Sequence, residues 1–243
     1  MDVSWEEAGW ERLAQGVGRR RMPVWDATVG LVAGDDGGAL LIDTGATLRE
    51  GVELRRQAQL LLGPGRRVTH IALTHPHFDH VLGTAAFAGA QVYGAVGIDE
   101  LMRRDRDALR DDAVRHGVER GEAAEATDVL VAPHHLVCGE WTLDLGGGRQ
   151  VLLANVGPGH SGHDLAVLVP GSPEVVFCGD LVEESGTPQA GSDAHPARWP
   201  AALDRLLALG GENAAYVPGH GAVVDAAYVR TQRDALAARF DVS

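Results

Sequence analysis

Apolar positions along the chain change their period several times, and each change predicts an element. Residues 24–33 are rich in β-branched and apolar side chains and run into Asp35-Asp36-Gly37-Gly38, the pattern of a strand closed by a hairpin turn. Residues 39–43 read as a short buried strand ending in Thr44-Gly45. From Leu48 to Leu62 apolar residues recur near helical spacing, and Gly63-Pro64-Gly65 stops that helix. Residues 68–73 form another strand pattern, which leads into Thr74-His75-Pro76-His77-Phe78-Asp79-His80. A short strand at 91–93 precedes a charged helical stretch at 97–125, with breaks at Gly117 and Gly121. Strand patterns return at 129–132, 141–145, 151–156, 165–169 and 175–178. Residues 196–209 read as a helix, 215–217 as a short strand, and 225–240 as a closing amphipathic helix with Asp225 as N-cap. Helices alternate with strands in the first half and strands crowd the middle. That pattern predicts one α/β domain over residues 1–243, with mixed sheets inside, helices outside and a helical insertion near 97–125.

At 243 residues and 45% hydrophobic content the chain can bury a sizeable core without a metal or a disulfide to hold it. A metal site in it would therefore serve chemistry. The net charge is −13 and every cationic side chain is Arg, with no Lys. An acidic surface repels phosphate backbones, so nucleic acid is not expected as a partner. The Arg-rich stretch at 103–110 is interleaved with Asp105 and Asp107, the pattern of a solvated helix face. Cys138 and Cys178 form no CxxC pair, which predicts reduced thiols. The first residues carry Asp2, Glu6 and Glu7 in place of the basic start of a signal peptide, and no apolar run reaches membrane-spanning length. The expectation is a cytoplasmic protein that acts on a small molecule and does not engage a membrane.

The histidines change the picture most. His75, His77 and His80 lie within six residues, with Asp79 among them, directly after a buried strand. The ends of strands are where α/β sheets place ligand sites. Alternate residues of an extended segment point the same way, so His75 and His77 can reach one ion, while Asp79 and His80 can reach a second. Neutral imidazole and carboxylate suit zinc and other first-row ions. Three later residues share this context. His160 sits in Gly157-Pro158-Gly159-His160-Ser161, Asp180 in Cys178-Gly179-Asp180, and His220 in Pro218-Gly219-His220-Gly221, each after a short apolar strand.

HxHxDH, a following GHS turn, a GD after a strand, and PGHG near the C-terminus together resemble the metallo-β-lactamase superfamily. Leu41-Ile42-Asp43-Thr44-Gly45 is similar to that family's first motif, and the match extends over residues 24–225. The resemblance implies a four-layer αββα sandwich and two Zn2+ ions, with Fe or Mn as alternatives. It implies that His75, His77 and His160 hold one ion, that Asp79, His80 and His220 hold the other, and that Asp180 bridges them. Asp43 would support the His loop, and Asp164 the turn of His160. Two divalent ions, two carboxylates and one bridging hydroxide leave a charge near +1, suited to an anionic or polarised carbonyl substrate. Asp79 would pass a proton to the leaving group.

The family hosts several chemistries. Asp at position 180 resembles the thioesterase, lactonase and phosphodiesterase branches more than the antibiotic-destroying branch, which places Cys at the bridging position. Hydrolysis of an ester, thioester, lactone or amide is the expectation, with a β-lactam among the candidates. The alternative is a mononuclear iron dioxygenase on a sulfur substrate, holding iron on His75, His160 and Asp180. Trp25, His195 and Trp199 are the expected substrate contacts, and residues 97–125 are long enough for a helical lid.

Overall fold

A computed structural model describes residues 4–35 and 37–242; Asp36 of the expected hairpin turn lies outside them. Strands β1 (Glu11–Ala14), β2 (Val17–Arg21), β3 (Thr28–Ala33), β4 (Ala39–Ile42), β5 (His70–Ala72), β6 (Gln91–Ala95) and β7 (His135–Val137) lie side by side in chain order in one sheet. The first three pairings are antiparallel and join neighbours through short turns. From β4 onward the strands run parallel, which needs a crossover between each pair. The crossovers are helix α1 (Leu48–Leu62), then the short α2 (Phe78–Val81), then α3 (Ile98–Arg104), α4 (Arg106–Arg115) and α5 (Arg120–Asp128). The second sheet contains β8 (Glu140–Asp144), β9 (Gln150–Asn155), β10 (Leu165–Val169), β11 (Val175–Glu183) and β12 (Ala215–His220), in the order β12-β11-β10-β9-β8. Helix α6 (Trp199–Gly210) carries the chain from β11 to its parallel neighbour β12, and α7 (Ala226–Arg239) closes it.

The strand period of two decides the layering. Leu31 and Leu41 point to the helices of the first half, where they meet Leu54 and Ala58 of α1. Their neighbours Val32, Leu40 and Ile42 point the other way and meet Leu153, Val167 and Phe177 of the second sheet. On β10, Leu165, Val167 and Val169 enter that same inter-sheet core, while Ala166 and Leu168 pack on the α6–α7 side with Leu203 and Leu206. Strands buried on both faces read as continuous apolar runs, as β4 and β10 do. The result is the four-layer αββα sandwich that the motifs imply.

Helix α1 shows how local sequence places the site. Thr47 caps its first turn by accepting the Glu50 N–H at 3.1 Å, and Gly63 ends it at a φ of 86°. Its buried face holds Gly51, Leu54 and Ala58. A Cβ at Gly51 would collide with the main chain of Gly83, so glycine lets α1 press against the segment that follows the histidine loop.

Several expectations need correction. No strand forms at 129–132. Helix α5 runs on to Asp128, and Leu130 and Val131 pack on the first core from irregular chain. The strand forms instead at His135–Val137, where the open edge of β6 offers Tyr93 and Ala95 as partners. Strands β1 and β2 are additional; β2 carries three consecutive arginines, of which Arg19 is buried and held by Glu11 at 2.7 Å and by the Gly221 carbonyl at 2.8 Å, while Arg21 stays exposed. The charged stretch at 97–125 resolves into three helices. Strand β11 continues past 178 to Glu183, so Asp180 lies within a strand. No helix among the described residues is long and apolar enough to cross a membrane.

Candidate metal centre

Asp43 organises the histidine loop from the end of β4, at a φ of 60°. Its carboxylate accepts the Thr74 N–H at 2.8 Å, the Thr74 hydroxyl at 2.7 Å and the His80 Nδ1–H at 2.8 Å, pinning the loop at both ends. Thr44 adds its N–H and hydroxyl to the His80 carbonyl, at 2.8 and 3.0 Å. The other histidines are oriented in the same fashion. His75 Nδ1 lies 2.9 Å from the Thr74 hydroxyl, His160 Nδ1 meets the Gln189 carbonyl at 3.1 Å, and His220 Nδ1 meets the Trp25 carbonyl at 2.7 Å. His77 turns its Nε2 to Asp193 at 3.0 Å. Each ring thus commits one nitrogen to the protein and aims the other at a common centre.

Those second nitrogens converge with two carboxylates in two groups, one of His75, His77, His160 and Asp180, the other of Asp79, His80 and His220. Asp180 stands between the groups: Oδ1 is 3.2 Å from His80 Nε2, and Oδ2 is 3.2 Å from His220 Nε2, 3.5 Å from His160 Nε2 and 3.7 Å from His75 Nε2. Asp79 Oδ2 lies 3.4 Å from His220 Nε2 and 3.6 Å from His80 Nε2. Zinc ligands at about 2.0–2.2 Å in a tetrahedron sit roughly 3.3–3.6 Å from one another, which these spacings match. Buried His75 Nε2, His80 Nε2 and Asp180 Oδ1 have no hydrogen-bond partner within the protein. An unmade hydrogen bond at a buried polar atom is costly, and three such atoms within the two donor groups fit cations held between the side chains.

The charges in the protein alone tell the same story. Burial presses His75 well below its ordinary value, with His80 adding to the effect, and burial holds His160 down to about 4. Burial acts the same way on His220, but Asp180 overcomes it and holds the ring up at about 9. His80 is likewise held well above its ordinary value against burial by Asp180, Asp79 and Asp43. Asp180 is driven far down despite its burial by His80, His75, His220 and His160. Protons on His80 and His220 thus occupy the place that metal charge would take.

The remaining expected residues divide. Asp164 is buried and takes the Gly159 N–H at 2.8 Å and the Ser161 hydroxyl at 2.6 Å, so it shapes the turn that presents His160. Trp25 lines the cavity over the centre, a space of about 760 Å³. Trp199 does not line it. It is fully buried beneath the ring of His160, at a centroid distance of 5.4 Å, with its indole N–H bonded to the Leu181 carbonyl. His195 is exposed beside Gly162 and also lies outside the cavity lining. Cys178, two residues from Asp180, faces the core under α6 instead of the centre, because Gly179 at a φ of 53° breaks the alternation between them.

The individual residues of the α3–α4 wall escaped the sequence reading, although the segments 97–125 and 183–199 both reach the cavity. Leu101, Asp105, Leu109, Asp112 and His116 line it along one face of α3 and α4. Their spacing of three or four residues was the signal available. His116 stacks on Phe78 at 5.4 Å, and its carbonyl accepts the Trp25 indole N–H at 3.1 Å, which docks this wall onto the histidine loop. Asp193, Glu183 and Ser185 line the cavity from the segment that follows Asp180.

Comparison with known proteins agrees with this geometry. The model of the metallo-beta-lactamase superfamily matches residues 22–220. A hydroxyacylglutathione hydrolase of Nitrosococcus oceani is 29% identical over 156 residues, 64% of this chain and 49% of the relative. The chain thus spans about half the length of that curated relative. Among solved structures, the metallo-beta-lactamase FIM-1 from Pseudomonas aeruginosa, in its mono-zinc form, superposes with a TM-score of 0.72 at 20% identity over 96% of both chains. The TMB-1 structure gives 0.70 at 19% identity, over 95% of this chain and 97% of the other. At those identities the likeness is one of fold, and the family rests on the matched model together with the seven converging donors. The chain belongs to the metallo-beta-lactamase superfamily.

Proposed function

We propose that this protein is a dinuclear zinc hydrolase that cleaves a carbonyl-type bond in a small molecule. An ester, thioester, lactone or amide fits, with a β-lactam as one form of the last. The observation that carries this reading is the pair of donor groups sharing Asp180 at the base of an open cavity, with three buried donor atoms left unpartnered. When bound, such ions bring the pKa of water towards neutrality and polarise a scissile carbonyl. The chain's own residues do the rest. His75, His77 and His160 would hold one ion, Asp79, His80 and His220 the other, and Asp180 both. Asp79 borders the cavity and can hold a proton on its carboxylate for delivery to the leaving group. The wall of α3 and α4 keeps bulk water from one side of the substrate. The relative's name, a hydroxyacylglutathione hydrolase, supports a thioester as one member of the class.

A single iron on His75, His160 and Asp180 would leave Asp79, His80 and His220 as a preformed group with nothing to hold, and for that reason we favour two ions. Metal content measured by mass spectrometry on untagged protein purified without added metal tests the reading. About two zinc ions per chain, with chelator-sensitive hydrolysis of an ester, thioester, lactone or β-lactam panel, is the expected result. One iron per chain with oxygen uptake on a thiol would overturn it.

A further inference from the structure

The charged side chains lining the cavity, apart from the metal-donor set, are Asp105, Asp112, Arg115, Glu183 and Asp193. Three of the carboxylates already have a cationic or imidazole partner: Asp105 lies 2.8 Å from Arg104, Asp112 2.5 Å from Arg115, and Asp193 3.0 Å from His77. Glu183 forms no direct ion pair among the described residues; burial and Asp180 oppose its ionised form, while His220, its register partner on β12, favours it. It is only 9% exposed, its Oε1 accepts the Ser185 hydroxyl at a long 3.3 Å, and it falls in neither donor group. Its backbone is fixed: the N–H donates to Gln232 at 3.0 Å, and the carbonyl accepts the Tyr228 hydroxyl at 2.9 Å. A buried carboxylate outside any direct ion pair is costly to keep ionised, and such groups are ordinarily paired. Here it lies on the wall of a cavity from which a ligand can supply a directly paired cation. The apolar side chains lining the same cavity include Leu101, Met102 and Leu109 of the α3–α4 wall, with Trp25 and Phe78.

From this juxtaposition we infer that Glu183 is the specificity-determining residue for a substrate bearing a cationic nitrogen, whose apolar portion lies against the α3–α4 wall. The inference rests on the hydrolase reading above and sharpens its substrate class. It also implies that substrates with a carboxylate near this position are disfavoured.

The test uses the full-length, metal-loaded protein and two p-nitrophenyl esters of matched length, the 6-aminohexanoate and the hexanoate. A hydrogen bond to a charged partner corresponds to a factor of about ten to a hundred, so kcat/KM should favour the amino ester by that ratio. In Glu183→Gln the ratio should fall to near one, with metal content unchanged and the melting temperature not lowered, since the variant removes a buried charge. Glu183→Asp, which keeps the charge on a shorter arm, should retain part of the preference. Equal use of both esters by the wild type, or a preference that survives in Glu183→Gln, overturns the subsite and leaves the hydrolase reading standing. If neither ester is cleaved, the hydrolase reading is what suffers, and calorimetric titration with hexylammonium then decides the subsite. Binding by the wild type that is lost in Glu183→Gln supports it; equal binding by both, or by neither, removes it.

Discussion

Gly219 shows how little room the centre leaves for a residue that binds nothing. A Cβ there would collide with Asp180 Oδ1 and with the main chain of residues 179–180. Gly219→Ala should therefore displace the shared carboxylate without altering any ligand. We expect a folded protein by circular dichroism that retains well under two metal equivalents by mass spectrometry. Asp43 acts at one remove, through Thr74 and His80. Asp43→Asn keeps its volume but turns one acceptor into a donor facing His80, and losses of this kind weaken metal binding by about 10- to 100-fold. Competition against a chromophoric chelator reads that number. The histidine charges set a pH signature at the same scale. His220 is held at about 9, above its ordinary value, so in metal-free protein its contribution to stability is complete below about pH 6.5 and is lost as pH rises through about 9. His160, held down at about 4, works in the opposite sense and costs stability as pH falls from about 6.5 towards 4. Metal must displace the protons on His80 and His220. Zinc affinity should thus climb with pH up to about 9, with proton release visible when calorimetry is repeated in buffers of different ionisation enthalpy. An affinity flat across that window would contradict this charge assignment.

Among the elements, α3 and α4 are the ones whose role the chain hides. Their apolar and acidic positions repeat at helical spacing, so the helix itself is legible, but a solvated face and a cavity wall share that pattern. What settles the matter is docking: Phe78 stacks on His116, and Trp25 reaches its carbonyl. Trp25→Phe removes the N–H while keeping an aromatic ring against Phe78, and a neutral hydrogen bond of this kind is worth about 1 kcal/mol. The expected result is faster amide exchange confined to Arg106–Arg115, with exchange in the sheets unchanged. Strand β11 teaches a related lesson. Strict alternation puts residues 180 and 183 on opposite faces, yet both line the cavity, because the ladder shifts register between Gly179 and Glu183. No periodicity argument reaches across such an irregularity, so the alternation of β11 alone does not put Glu183 on the cavity side.

For the molecule as a whole, the two sheets and their helices have three apolar cores of their own, so the fold should survive without metal. Ions that bind only the folded state still add stability, about 4 kcal/mol at a thousandfold excess over the dissociation constant. In a chain of this size that corresponds to a melting temperature higher by roughly 8–16 °C. Chelation should lower the melting point by about that much at neutral pH and leave a cooperative transition; outright unfolding on chelation would show instead that the centre holds the sandwich together.

The chain by itself determined the layered α/β class, the extents of α1 and α7, and the seven residues that the fold gathers into two candidate ligand groups. Those features are local: amphipathic periodicity, capping residues, and short motifs in which ligands sit a few residues apart beside glycines that must turn sharply. The tertiary structure alone decided the rest. Strand β7 forms where the edge of β6 offers partners, and not where the apolar run at 129–132 suggested. Trp199 went to the core beneath His160 because a large ring at the start of α6 gains more from burial than from solvent beside the cavity. Asp193 met His77 across 116 positions of sequence, and Glu183 came to lie in the cavity wall outside any direct ion pair among the described residues. Pairings of that kind depend on which surfaces the two sheets bring face to face, and a linear pattern carries no information about distance across the fold.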